Sequence, residues 1–170
     1  SGKFSSNISN TNTISKLLKI LNDRNYIKNK KFNIKIKKNI PQSSGMGGGS
    51  MNAASILSYL FKKKIIKTTK NNLVKIANKV GSDVILGLYE SPMILQGQNV
   101  RKINKKLNFH LLIIKPNFGC STKLIYAKHR GFSKSLFNKS YMINRQDLLK
   151  VSNNDLERAV FNKYPVLRKI

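Results

Sequence analysis

A single cysteine, Cys120, is all the thiol chemistry in this chain. One cysteine cannot close an internal disulfide framework, and such a count suits a reducing compartment, so a cytoplasmic location is expected. Cys120 itself reads as a small buried residue. Long apolar runs are missing as well. Nothing approaches the roughly 20 residues of a membrane span, and the polar start "SGKFSSNISN" is unlike a secretory signal. Carboxylates are the third scarcity. Six Asp and Glu stand against 33 Lys and Arg, a formal charge of +27. Histidine is limited to His110 and His129, and neither has a carboxylate or cysteine nearby in sequence. No triad or metal site is expected on them: His110 alternates into a strand core and His129 sits on an exposed basic segment.

An excess of positive charge normally points to nucleic acid or an anionic membrane. Here Lys supplies 27 of the 33 basic residues and Arg only six, while Asn (21) and Ile (19) are equally inflated. Lys, Asn and Ile are the residues of A/T-rich codons, so a biased genome accounts for the charge. Arg, the better bidentate phosphate ligand, is scarce. The lysines are spread along the chain apart from short runs such as Lys62–Lys64, with no aromatic-interleaved basic patch of the kind single-strand binders use. A solvated basic surface is therefore expected, with neither nucleic acid nor a membrane as partner. A basic RNA-binding module remains the alternative from a different class.

What is present is enough for a core. With 40% hydrophobic residues, 170 residues make one domain, or one domain and part of another. The chain begins with Ser rather than Met, so it is expected to be a piece of something longer. Ile14, Leu17, Leu18 and Leu21 lie at helical spacing over 12–25, with Asn12 as a possible cap. "FNIKIKKNI", 32–40, alternates Phe32, Ile34 and Ile36 with polar residues and predicts a strand with one buried face, ended by Pro41. Residues 51–63 predict a helix with Ala53, Ala54, Ile56, Leu57 and Leu60 on or near one face. Lys62, Lys63 and Lys64 fall at its end, where the helix dipole favours cations. A short helix follows over 72–80. "FHLLIIKP", 109–116, predicts a buried strand stopped by Pro116. "CSTKLIYAK" predicts a helix capped by Ser121 or Thr122, and Asn154 with Glu157 three residues on predicts a capping box. Residues 131–150 read as a polar connection, and there is no internal repeat. The fold class is α+β.

Between the predicted strand 32–40 and the helix from 51 stands "SGMGGGSMNAAS", 44–55. A Gly/Ser spacer fits poorly, because a linker is flanked by polar, unstructured sequence and this loop is clamped between two elements. A dinucleotide fingerprint needs a third glycine where Ser50 stands and an acid about 20 residues on. The next acid is Asp83, 38 residues after Gly45. A P-loop requires Gly-Lys-Ser/Thr, and no lysine lies between Lys38 and Lys62. What remains is general. Glycines expose backbone N–H groups, the helix N-terminus adds partial positive charge, and together they cradle phosphate. Asp83 stands in the apolar context "NKVGSDVILGL", where an uncompensated charge is costly, so a lysine, hydroxyl or metal partner is expected. The plainer alternative is a turn aspartate.

"PQSSGMGGGSMNAAS" resembles the second motif of the GHMP kinases, in which a proline leads into a glycine–serine loop and an Ala-rich helix. Met46 replaces the usual leucine and Met51 the usual second serine, while Asn52, Ala53 and Ala54 match. "SGKFSSNISNTNTISKLLKIL", "VGSDV" (80–84), "KPNFGCST" (115–122) and "NNDLERAVFNKYPVLRKI" resemble further family segments in the same order, covering essentially the whole chain. Ile85 and Leu86 depart from the usual Pro-Phe, and "LQGQNV" (95–100) is only faintly similar to the family's Gly-x-Gly-Glu. The resemblance implies a GHMP kinase fold. An ATP-binding, ribosomal-protein-like α+β domain would occupy 1–106, incomplete at its start, and the beginning of a second α+β domain 107–170. It implies ATP as co-substrate, Mg2+, and a small-molecule substrate, a cytidyl diphosphate sugar alcohol. ATP would be held by Pro41, Gln42, Ser43, Ser44, Gly45, Met46, Gly47, Gly48, Gly49, Ser50 and Met51, with Asn12 near the adenine or simply a helix cap. Ser50 would lie near the metal and Asp83 would accept the proton of the attacking hydroxyl. Thr122 is a helix cap first and a substrate contact second.

Overall fold

A computed structural model describes residues 1–6, 8–42, 44–103, 110–129, 131–133 and 153–169. These residues fall into two compact units, one drawn from Ser1–Gln42 and Met46–Lys106, the other from Ser43–Gly45 and Leu107–Ile170.

The first unit is organised by three helices. Helix α1, Thr13–Asp23, starts at Asn12, whose side chain accepts from the N–H groups of Ile14 and Ser15 while Ser15 returns a bond to the Asn12 N–H. That reciprocal cap satisfies donors the helix itself cannot. Helix α2, Gly48–Lys62, and helix α3, Lys70–Val80, follow. Each buries one face at i, i+3/i+4 spacing: Leu17 and Leu21 on α1, Ala53, Ala54, Leu57 and Leu60 on α2, Leu73, Ile76, Ala77 and Val80 on α3. Val84 and Ile85, just past α3, close the same core. A 3-10 turn, Leu86–Leu88, then packs on α2.

Strands β1, Met93–Gln96, and β2, Asn99–Lys102, form an antiparallel hairpin with Gln96 opposite Asn99. The two-residue turn needs a positive φ at its first position, which Gly97 supplies at 60°. Helices with this small sheet agree with the α+β class.

The strand expected over 32–40 is corrected. Phe32, Ile34 and Ile36 are half-buried and Asn33, Lys35 and Lys37 exposed, so the alternation is real. No ladder forms on it among the described residues. Its backbone bonds instead reach the chain start: Lys38 N–H donates to Ser1 O (2.7 Å), and Phe4 N–H to Lys38 O (3.0 Å). Gly2, at φ 102°, lies so close that a Cβ on it would sit 2.5 Å from the Lys38 backbone.

In the second unit, helix α4, Thr122–Lys128, is capped by the Ser121 hydroxyl and buries Ile125. Helix α5, Glu157–Lys163, runs into a 3-10 turn, Pro165–Lys169. Phe118 stacks on Tyr164, centroids 4.8 Å apart, and the Tyr164 hydroxyl donates to Gly119 O. The capping box expected at Asn154 and Glu157 does not form. The Asn154 carbonyl side chain accepts from Leu156 N–H, a local turn, and the helix begins three residues later. Nor is there a buried strand over 110–116: Leu111 and Leu112 are 80% and 89% exposed, and His110 is exposed with them. An apolar run specifies burial only if another element covers it. Phe109 and most of the expected connection 131–150 lie outside the described residues. Cys120 is half-buried rather than buried.

Candidate functional site

Helix α2 starts three residues earlier than its apolar periodicity suggests, inside the glycine run. Gly47 takes the N-cap in the left-handed region, φ 64° and ψ 13°, where a side chain is rarely tolerated. The Met51 N–H then closes the first turn on Gly47 O at 2.9 Å. α1, α3 and α4 each begin on a side-chain cap, from Asn12, Thr69 and Ser121. α2 has no side-chain cap bond. The N–H groups of Gly48, Gly49 and Ser50 therefore stand at the positive end of a 15-residue helix without an acceptor among the described residues.

The four loop glycines do two different jobs. Gly45 (φ 72°) and Gly47 have open space where a Cβ would go, so their role is conformational. Gly48 and Gly49 are close-packing positions: a Cβ would meet Ile40 Cγ2 at 3.3 Å and Thr13 Oγ1 at 3.0 Å respectively. The start of α2 is thus seated against Ile40 and the first turn of α1. Ser44 and Gly45 cluster with the second unit, and the stretch from Met46 onward belongs to the first.

The other expected nucleotide contacts are placed as follows. Pro41 is half-buried and Gln42 donates to Ser6 O at 2.7 Å. Ser43 lies outside the described residues. Met46 is 44% exposed. Ser50 is half-buried in the first turn of α2, and Met51 turns its thioether toward Gly87. Asn12 is committed as a cap, its Oδ1 to Ile14 and Ser15 and its Nδ2 to Ser9 O. It still lines a cavity of about 460 Å3 with Asn10, Thr13, Lys16, Lys19 and Val80.

Asp83 is exposed although its sequence neighbours are apolar, and a hydroxyl is among its partners. The chain turns at Gly81, so Val84 and Ile85 face the core while Asp83 faces out; Ser82 Oγ donates to its Oδ1 at 3.1 Å. Two residues that sequence reasoning passed over hold this turn. Lys16 Nζ crosses from α1 to donate to Val80 O at 2.8 Å, on the negative end of α3. Gly87 abuts α2. Only long-range packing reveals either, although a glycine inside "VILGLYE" is a local signal of close backbone approach.

A larger cavity, about 950 Å3, lies in the second unit against Lys128, His129, Asp155, Arg158 and Lys163. His129, expected on an open segment, has its Nε2 buried with no hydrogen-bond partner among the described residues, and its ring is 4.4 Å from Phe132. No group of three His, Cys, Asp or Glu gathers to hold a metal among the described residues, and none of their helices is long and apolar enough to cross a membrane.

Residues 12–94, which carry the α2 loop and Asp83, match the family model of the GHMP kinases N terminal domain. Among curated proteins the chain is similar to the 4-diphosphocytidyl-2-C-methyl-D-erythritol kinase of Pelagibacter ubique, 53% identical over 99% of the chain and 61% of the relative. The enzymes of the same name from Caldanaerobacter subterraneus and Clostridium kluyveri are 31% and 35% identical, over 94% and 81% of the chain and 58% and 52% of the relative. The chain thus spans about three fifths of the length of the first two relatives. No solved structure matches it.

Proposed function

We propose that this chain is the nucleotide-holding part of a kinase. The enzyme would transfer the γ-phosphoryl group of ATP to the 2-hydroxyl of 4-diphosphocytidyl-2-C-methyl-D-erythritol, in non-mevalonate isoprenoid synthesis. The observation that carries the reading is the start of α2, a glycine-shaped cluster of N–H groups without an acceptor among the described residues, in the same compact unit as an exposed Asp83. The substrate comes from the names of the relatives. In this reading 1–106 is the ATP-binding domain, of ribosomal-protein-like shape, and 107–170 begins the second domain.

The chemistry follows from those groups. Phosphoryl transfer asks for alignment and charge stabilisation more than for covalent participation. The N–H groups of Gly48, Gly49 and Ser50 hold phosphate oxygens against the α2 dipole. The substrate hydroxyl oxygen bonds to the γ-phosphorus, the bond to the bridging oxygen breaks, and ADP departs. Asp83 accepts the hydroxyl proton, with Ser82 holding one of its carboxylate oxygens. Magnesium prefers hard oxygen donors and commonly binds through substrate phosphates while keeping several waters. The Ser50 hydroxyl is the donor the loop offers it, and bound there it would neutralise charge developing on the phosphates.

In the full-length enzyme, Asp83→Asn is expected to lower turnover by about 10²–10⁴-fold, the usual worth of general-base catalysis, with ATP affinity nearly intact. Steady-state kinetics with ATP, magnesium and the cytidyl substrate, beside nucleotide titration calorimetry, checks this. Unchanged turnover removes the proposed base. Turnover of homoserine or mevalonate in place of the cytidyl substrate would move the enzyme to another branch of the family.

A further inference from the structure

The proposed base and the phosphate loop sit on different elements, and something must set the distance between them. Asp83 belongs to the turn after α3; the loop belongs to the start of α2. The turn continues directly into the 3-10 segment Leu86–Leu88 through backbone bonds from Leu86 to Asp83 and from Gly87 to Val84, both 3.2 Å. That segment meets α2 at Gly87. A Cβ built there would stand 2.5 Å from Ala54 Cβ, 3.1 Å from Met51 Sδ and 3.2 Å from Met51 Cε. Ordinary carbon contacts are about 3.5–4.0 Å, so the space for a side chain is short by roughly 1 Å. Ala54 has no flexible end that could yield, and Met51 is the residue whose N–H closes the first turn of α2 on Gly47.

We propose that Gly87 is a positioning residue: its missing side chain lets the Asp83 turn lie directly on α2 and so sets the base against the phosphate-holding N–H groups. This rests on the kinase reading of Asp83 and the α2 loop. Lys16 ties the end of α3 to α1, and a shift at Gly87 is carried back along the turn through its bond to Val84 O and the Leu86 bond to Asp83 O. Met51 belongs to the same arrangement. It stands where the family's usual form has a serine, and its thioether fills the space beside Gly87.

The test uses the full-length enzyme with ATP, magnesium and the cytidyl substrate. Gly87→Ala pushes the turn off α2 while leaving the N–H groups of Gly48–Ser50 in place. The expected result is a fall in kcat of about 10–100-fold, the scale of a 1 Å misplacement of reacting groups, with the ATP dissociation constant changed by less than about twofold. Gly87→Ala combined with Ala54→Gly moves the methyl group from one side of the contact to the other, and kcat is expected to return to within about threefold of the parent. That pair also serves if Gly87→Ala alone fails to fold. An unchanged kcat in folded Gly87→Ala overturns the proposal. So does a parallel loss of ATP affinity and kcat, or a folded double variant that stays slow while Ala54→Gly alone is active. A parent enzyme without kinase turnover instead overturns the kinase reading, and the positioning role with it. If Asp83→Asn keeps full turnover while Gly87→Ala does not, the base assignment fails and Gly87 does not act through it.

Discussion

Two aspartates show how little of a carboxylate's role its neighbours in sequence reveal. Asp83 stands among apolar residues yet faces solvent, with one bond from Ser82. Asp155 is held more firmly. It accepts from both the backbone N–H of Ser133 at 2.9 Å and its hydroxyl at 3.0 Å, across 22 residues of chain. The backbone bond first, the hydroxyl second and the nearby His129 last favour its ionised form and lower its pKa from the ordinary 3.8, against a small opposing effect of burial. A carboxyl lowered on folding stabilises the fold above its unfolded value, and that contribution is lost as pH falls through the folded value. The tie between residues 133 and 155 should therefore hold down to below pH 3.8 and loosen in stronger acid. Ser133→Ala keeps the backbone donor and removes the hydroxyl, so the Asp155 pKa should climb part of the way back to 3.8. Carboxyl carbon NMR through an acid titration reads it directly, and an unmoved midpoint would mean that the hydroxyl contributes nothing.

At the scale of the element, the α2 loop separates two uses of glycine that look identical in "GMGGGS". Gly47→Ala forces an L-residue into φ 64° with no packing to gain, at a cost of roughly 1–2 kcal/mol. Gly48 is inside the helix, and alanine there gains helix propensity of about 1 kcal/mol against a tight contact with the movable Ile40 side chain. Denaturant titration should show a clear loss for Gly47→Ala and a much smaller change for Gly48→Ala; equal losses would mean that the helix does not start on a left-handed Gly47. The helices themselves were legible because their bonds and their burying faces are local: the spacing of Leu17 and Leu21, or of Leu57 and Leu60, suffices. The extended segments were legible only as alternation. Over 32–38 the half-buried and exposed residues alternate as expected, but pairing is a non-local event that no window of sequence contains. The hairpin 93–102 escaped for the opposite reason. Its strands are four residues each, too short for periodicity, and Gly97 between "MILQ" and "NVRK" was the one available signal. Of the candidate site, the glycine loop and Asp83 stood out by composition and scarcity. Lys16 and Gly87 did not, because their importance lies wholly in what the fold brings against them.

Over the whole chain, two surface properties oppose each other. The net charge of +27 is hardly compensated. Among the described residues the one ion pair is Lys62–Glu90 at 3.3 Å, with side chains 71% and 93% exposed, and such pairs contribute little. Like charge keeps copies apart, but salt screens it over about 10 Å at 0.1 M. Against this, Leu111, Leu112, Ile113 and Ile114 are 80%, 89%, 63% and 56% exposed in one run. Four consecutive uncovered apolar residues with two β-branched members make a sticky, strand-competent surface. At low salt, repulsion between copies should dominate and the 170-residue chain should remain dispersed. As salt rises the repulsion fades, and the run should drive self-association with binding of an apolar dye. Replacing Leu112 and Ile114 by lysine places charge on the run itself and should abolish both effects at every salt concentration. Sedimentation velocity at 50 and 500 mM salt distinguishes the cases, with nuclease-treated protein so that bound RNA cannot supply the bridge. Association that persists in the Leu112→Lys, Ile114→Lys chain would place the adhesive surface elsewhere; association that falls with salt would assign it to charge, as an RNA-binding surface requires.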